Sequence, residues 1–348
     1  MPGRPPPWKK IMTRREVGWT AMAMLLLAAA LWYLFGYPAP PVDLQWRAPA
    51  ATQIPDDAVT VRFAGTSTML FSDGETQWMT DGWFTRPRLS QIALGQVAPD
   101  PAAIEFGLKR LDAQRLAAVI PLHSHYDHAM DAPLVAERTG ALLIGAEATA
   151  NIGRGLGLAE ERMRVVEHGE SVQLGAFRVT FLESRHLEYA DPDMVDKLIT
   201  QSEIPAPLVP PASIYDYKLG KAWVLHVAHP KGDFLVIGSA GFVPGLLDGY
   251  DVDTLFLGVG ALGSQTAEYR ADYWQETVGA AHPERVILIH WDSLLAPLNG
   301  RLQGEMRIAG LLSGGNERLH EWLRARRAAN PQLVFQTLPR FEPSLLFP

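Results

Sequence analysis

The chain of 348 residues contains no cysteine. That excludes a disulfide framework, a cysteine-ligated zinc site and a thiol nucleophile. A basic excess is also missing: 31 Lys and Arg face 38 Asp and Glu, for a net charge of -7, whereas a nucleic-acid binder carries a basic footprint. There is no Walker loop, no GxGxxG after a strand pattern and no GxSxG elbow, so nucleotide-binding and serine-hydrolase chemistry have no foothold. No internal repeat is present. With 47% hydrophobic and 20% charged residues, the composition is that of a globular chain with a large core.

Charge is absent from one long stretch, Val17 to Tyr37. As a helix this run spans roughly 30 Å, the thickness of a bilayer's hydrocarbon core. Arg4, Lys9, Lys10, Arg14 and Arg15 precede it against the single acid Glu16. The expectation is therefore a cytoplasmic basic tail (1–16), a transmembrane signal anchor (17–37) and everything beyond it across the inner membrane, on the periplasmic side. A cleaved signal peptide is the competing reading, but Gly36-Tyr37-Pro38-Ala39-Pro40-Pro41 makes a poor cleavage site. Residues 38–55 are proline-rich and read as an extended stalk.

From Asp56 to Pro348 no second linker is visible, so one domain is expected. Val59–Gly65, Ser67–Gly74 and Thr76–Gly82 are short strand-like runs separated by Gly turns, an antiparallel meander. Leu116–Leu122, Ala141–Ala146, Arg178–Ser184, Ala222–Ala228, Phe234–Ala240, Thr254–Gly260 and Arg285–His290 are further strand candidates. Helical patterns fall at Ala129–Thr139, Ala267–Ala281 and Glu317–Ala328, and Leu333–Leu338 is expected to close the chain. This order fits an α/β chain folded as an αββα sandwich with two central sheets. Leu187–Ala212, rich in acids and prolines, breaks the pattern and reads as a lid.

The chemistry concentrates in His123-Ser124-His125-Tyr126-Asp127-His128, which puts three imidazoles and a carboxylate directly after the apolar strand Leu116–Leu122. In an extended loop His123 and His125 point the same way and can converge on one divalent ion. Asp127 and His128, where the chain turns toward a helix, can face a second. Solvent-facing polar loops seldom carry four such groups at this spacing after a buried strand.

This HxHxDH pattern resembles the signature of the metallo-β-lactamase superfamily, and HYDH followed by Asp131 is similar to its phospholipase-D-type and lactonase-like branch. The likeness covers roughly Val59 to Trp291. It implies a third histidine for the first site, His186 in Ser184-Arg185-His186, and a last histidine for the second, His290 in Val286-Ile287-Leu288-Ile289-His290. The implied ligand sets are His123, His125 and His186, and Asp127, His128 and His290. Asp81 resembles the early acid that supports the metal loop from behind. One position departs from the family pattern. Where a bridging aspartate is usual, after Phe234–Gly238, this chain has Ser239, so the second ion is expected to be held more weakly. A single ion, two ions bridged by hydroxide, or a carboxylate such as Asp292 or Asp248 moving in are the alternatives.

The resemblance implies a metal-dependent hydrolase in which Asp127 orients a metal-activated hydroxide and passes a proton to the leaving group. The expected cofactor is one or two divalent ions, zinc foremost, with iron or manganese as alternatives. The substrate is expected to be a small or lipid-like ester or phosphodiester, with Ile204, Leu208 and Val209 of the lid admitting an acyl chain. A tethered metal-binding protein without turnover is the competing function. Tyr126 reads equally as an oxyanion donor or as packing, and Trp291 as a wall of the site. His168, His226, His229, His282 and His320 read as structural or solvated.

Overall fold

The computed structural model describes residues 13–188, 193, 195–196, 202–312 and 315–348. The expected lid falls partly outside the described residues. The helix α1 (Arg14–Leu34) starts at Thr13, whose hydroxyl accepts the Glu16 amide (3.2 Å) while the Glu16 carboxylate accepts the Thr13 amide (2.7 Å). These reciprocal bonds satisfy two amides that a helix start leaves open. α1 buries none of its residues, and it is long and apolar enough to cross a membrane.

Two seven-stranded sheets follow. The first is ordered β14-β1-β2-β3-β4-β5-β6, built from Val59–Gly65 (β1), Thr68–Ser72 (β2), Gln77–Thr80 (β3), Leu116–Ile120 (β4), Leu142–Gly145 (β5), Met163–Val165 (β6) and Pro343–Phe347 (β14). The second is ordered β13-β12-β11-β10-β9-β8-β7, from Ser171–Leu174 (β7), Phe177–Ser184 (β8), Ala222–His229 (β9), Gly232–Ile237 (β10), Thr254–Gly258 (β11), Arg285–Ile289 (β12) and Val334–Gln336 (β13). β1, β2 and β3 form the expected antiparallel meander. Leu333–Leu338 does not close the chain. That place belongs to β14, which pairs antiparallel with β1.

The sheets face each other through aromatic side chains. Phe71 and Trp78 of the first sheet stack at 4.5 Å, and Phe71 meets Phe234 (4.9 Å) and Phe256 (5.4 Å) of the second. Truncating such a ring to alanine costs about 3–5 kcal/mol. Outside the first sheet lie Pro101–Leu111, which begins with an Asp100 cap and Pro at its first position, and Ala132–Thr139. Their Ile104, Leu108, Leu111, Val135 and Ala136 pack with Leu70, Met79 and Val119. Outside the second lie Ala267–Trp274 and Asn316–Ala329, where the Tyr273 hydroxyl donates to the Gly258 carbonyl at 2.7 Å. The αββα sandwich expected from the order of patterns is thus the observed architecture.

The segment 38–55, expected as an extended stalk, lies along the domain. Val42, Trp46 and Ala48 are buried in the main core, Trp46 meets Phe335 edge-on (5.7 Å), and Ala48 donates to Thr337 (2.8 Å). Proline-rich composition predicts the backbone's extension but not what it lies against.

Candidate metal centre

β3 and β4 run parallel, and so do β10, β11 and β12; β8, two antiparallel steps from β10, shares their direction. Their carboxyl ends meet at one rim of the sandwich. Asp81 follows β3, His123–His128 follow β4, His186 follows β8, Ser239 follows β10 and His290 follows β12. Residues far apart in the chain therefore converge because strands of like direction deliver their loops to the same edge.

Two triads of ligand-type side chains result: His123, His125 and His186, and Asp127, His128 and His290, with the donor atoms of each within 4.8 Å of one another. The contacts are closer still. His123 Nε2 lies 3.1 Å from His125 Nδ1. His128 Nε2 lies 3.2 Å from His290 Nε2, and Asp127 Oδ2 lies 3.5 and 3.4 Å from those two nitrogens. Metal–nitrogen bonds of 2.0–2.1 Å in a tetrahedron place neighbouring ligand atoms roughly 3.4 Å apart. The spacing fits a divalent ion in each triad.

The surrounding bonds orient the rings. His128 Nδ1 donates to Asp81 Oδ2 (2.9 Å), which leaves Nε2 as the lone pair facing Asp127 and His290. The other Asp81 oxygen accepts the Leu122 amide at 2.9 Å, tying the start of the ligand loop to the end of β3. His186 Nδ1 donates to the Leu187 carbonyl (2.6 Å), so its Nε2 is the ligand atom left over. His290 has a left-handed backbone (φ 58°), and its amide donates to Thr66 O at 2.6 Å. Gly260 beside it must lack a side chain, because a Cβ there would collide with the His290 ring.

Electrostatics separates the triads. Burial, reinforced by the neighbouring imidazoles, holds His123 and His186 well below the usual histidine range, so both are neutral ligands. Burial would also lower His128, but the Asp81 and Asp127 carboxylates outweigh it and raise it. For Asp127, burial pushes upward and is overcome by His128, His290 and His125, so the carboxyl sits below its ordinary range and is anionic.

The centre opens into a cleft of about 360 Å³. His125, Asp127, His186 and His290 form its floor. Apolar walls come from Ile92, Tyr126, Ile214, Trp291, Leu294 and Leu295, and Ser239, Asp292, Glu305 and Asn316 add polar points. Trp291 is a wall, as expected. Tyr126 lines the cleft with its ring edge-on to Trp83 at 6.0 Å. Ser239 Oγ accepts the Leu187 amide (3.0 Å) and so steadies the peptide next to His186. Asp292 is turned to the Thr66 amide (2.7 Å), and Asp248 is exposed near the Gly245 turn. Neither is among the described residues' metal-ligand triads. Of the lid's apolar residues, Ile204 is buried with Trp83, Ile152 and Tyr217.

Two buried groups beside the centre had no partners assigned from the sequence. Asp131 is fully buried and accepts the Phe84 and Thr85 amides (2.8 and 2.6 Å) and the Thr85 hydroxyl (2.8 Å). Burial pushes its carboxyl up to about 6 despite those bonds. Arg86 lies over the Trp83 ring at 4.0 Å; burial and Arg340 pull it down to about 10, against the pull of Asp292, Asp131 and Asp127. An acid three residues past the HYDH motif was visible; its partners were not. The remaining histidines have protein partners: His226 with Asp233 (3.3 Å), His229 with Asp73 (3.6 Å), His282 with Asp251 (3.0 Å), His320 with Asp43 (2.9 Å) and His168 with the Glu183 amide (3.0 Å).

No protein-family model matches the chain, and no curated protein matches it in sequence. Among solved structures it is similar to a possible metal-dependent hydrolase from Veillonella parvula (11% identity, TM-score 0.49, covering 83% of this chain and 99% of that one). It is also similar to Igni18, a metallo hydrolase from Ignicoccus hospitalis (14%, 0.45, 82% and 96%), and to YhfI, a metallo-β-lactamase fold protein from Bacillus subtilis (13%, 0.43, 82% and 98%). The six converging side chains, not these distant likenesses, bear on activity.

Proposed function

We propose that this chain is a membrane-anchored, metal-dependent hydrolase of esters or phosphodiesters. The observation that carries the reading is the pair of triads at ligand spacing, with His125, Asp127, His186 and His290 of their six side chains lining one cleft. His123, His125 and His186 hold one divalent ion, and Asp127, His128 and His290 hold the other. Zinc suits these nitrogen and oxygen donors, and so do iron and manganese. Such an ion supplies Lewis acidity and makes water acidic enough to deprotonate near neutral pH. Asp127, anionic and on the cleft floor, orients the attacking water, accepts its proton and returns it to the leaving group. Asp81 keeps the His128 ring in place throughout. The apolar walls exclude bulk water and seat the non-reacting part of the substrate.

In this reading α1 spans the inner membrane once, with the basic residues before it in the cytoplasm and residues 56–348 as the catalytic domain on the periplasmic side. Ser239, a hydroxyl without charge, favours a second reading in which ions bind and nothing turns over. The test is a panel of p-nitrophenyl esters and bis(p-nitrophenyl) phosphate with the full-length chain loaded with Zn, Mn or Fe. Turnover that falls about a hundredfold or more in Asp127→Asn supports the hydrolase. Stoichiometric ion binding with no turnover on any substrate supports the second reading.

A further inference from the structure

We infer that the mouth of the cleft is a membrane-docking rim, so that the cleft opens onto the bilayer interface rather than onto bulk water. One wall is fastened to the end of α1. The Arg307 amide donates to Gly36 O (3.1 Å), its guanidinium donates to Tyr33 O (3.2 Å) and lies over the Tyr33 ring (4.5 Å), and the Gly304 amide donates to Pro38 O (3.3 Å). Glu305 and Ala309, from the same short segment, line the cleft. Trp32 and Tyr33 in the last turn of α1 are 80% and 57% exposed, as befits rings at the headgroup level of a bilayer. A cleft wall bonded to that turn sits at the same depth.

Other cleft-lining segments have exposed apolar side chains next to them in the chain. Ile92 of the short helix Leu89–Ala93 lines the cleft, and Leu89, three residues earlier and so on the same face, is 40% exposed. Leu94, which ends that helix, is 71% exposed. Ile214 lines the cleft and its neighbour Tyr215 is 40% exposed; Val209, beside the partly buried Leu208, is 67% exposed. The two pieces of chain are joined by the Val97–Ala212 bridge. Single exposed apolar residues are ordinary on soluble proteins. Here they lie within a few residues of side chains that line one cleft, and another part of that cleft's lining is tied to a helix able to span a membrane. The occupant that fits an apolar rim at that depth is the lipid interface, and a substrate entering there comes from the bilayer.

The absence of cysteine makes the test clean. Leu94→Cys and Val209→Cys in the full-length chain each take one environment-sensitive fluorophore, with the exposed Glu284→Cys as reference. Glu284 precedes β12, at the opposite end from His290. In vesicles of phosphatidylcholine and phosphatidylglycerol, doxyl-labelled lipid should quench the labels at positions 94 and 209 several-fold more than the label at 284. Equal quenching at all three overturns the proposal. The kinetic arm rests on the hydrolase reading. Leu94→Asp should leave hydrolysis of a water-soluble short-chain ester unchanged and slow that of a vesicle-embedded long-chain ester about tenfold, the factor that corresponds to burying one leucine. An equal rate for wild type and variant on the embedded ester also counts against it. Strong quenching without turnover on either ester leaves the docking rim standing and refutes only the hydrolase.

Discussion

Replacing Asp81 by asparagine separates ligand geometry from ligand identity, because Asp81 touches no ion itself. Its oxygens accept from His128 Nδ1 and the Leu122 amide, both at 2.9 Å, in a fully buried position. Asparagine has one acceptor oxygen for these two donors, so its NH2 must face one of them. If it faces His128, the ring's proton moves to Nε2 and the lone pair that points at Asp127 and His290 is lost. Partners behind a ligand are typically worth 10–100-fold in metal affinity, about 1.4–2.8 kcal/mol. The second triad should therefore weaken by that factor while His123, His125 and His186 keep theirs. The assay is a chelator-competition titration of the full-length apo-protein, which resolves two ions by their affinities, with circular dichroism to show that the variant is folded. A folded Asp81→Asn protein with two unchanged affinities would refute the assignment of His128 Nε2 as a ligand.

Three further outcomes are expected. Ser239→Asp, which adds a carboxylate to the cleft floor beside His186, should tighten the second ion at least about tenfold; an unchanged affinity in the same titration would show that Ser239 does not lie between the triads. On acidification the Asp127–His128–His290 triad should empty before the other. The raised His128 binds a proton at higher pH than the lowered His123 and His186, so proton competition starts there first, and loss of both ions in a single step contradicts this. Asp131→Ala should cost about 3–5 kcal/mol in chemical denaturation by stranding three buried donors. Because the folded Asp131 carboxyl is raised to about 6, its stabilising protonated form is lost as pH rises from about 4 through 6. Relative to Asp131→Asn, wild type should therefore lose about 3 kcal/mol over that window, and a constant difference would disprove the raised value.

The parts of the centre legible in the sequence were those written locally. His123 to His128 lie in one loop after one apolar strand, and alternation alone sends two imidazoles the same way. His186 and His290 were reached only through family resemblance, since nothing local marks a histidine at a strand end as a ligand. The cleft walls were not legible: Ile92, Ile214 and Leu294 come from three segments far apart in the chain and meet only in the fold. The burial of Trp46 escaped notice for a similar reason, because its partner Phe335 lies at the other end of the chain. The helix Pro101–Leu111 was not among the expected elements, although Asp100 followed by Pro at the first helical position is a helix-start signal. β14 carried none: it is short, and its place depends wholly on β1.

The most direct measurement is the metal content of the purified full-length chain by plasma mass spectrometry after dialysis against buffered Zn, Mn or Fe, compared with His125→Ala and His290→Ala. The account predicts two divalent ions per wild-type chain and one in each variant, because His125 and His290 belong to different triads. A wild-type chain that retains none, or two variants that retain as many ions as wild type, would contradict it.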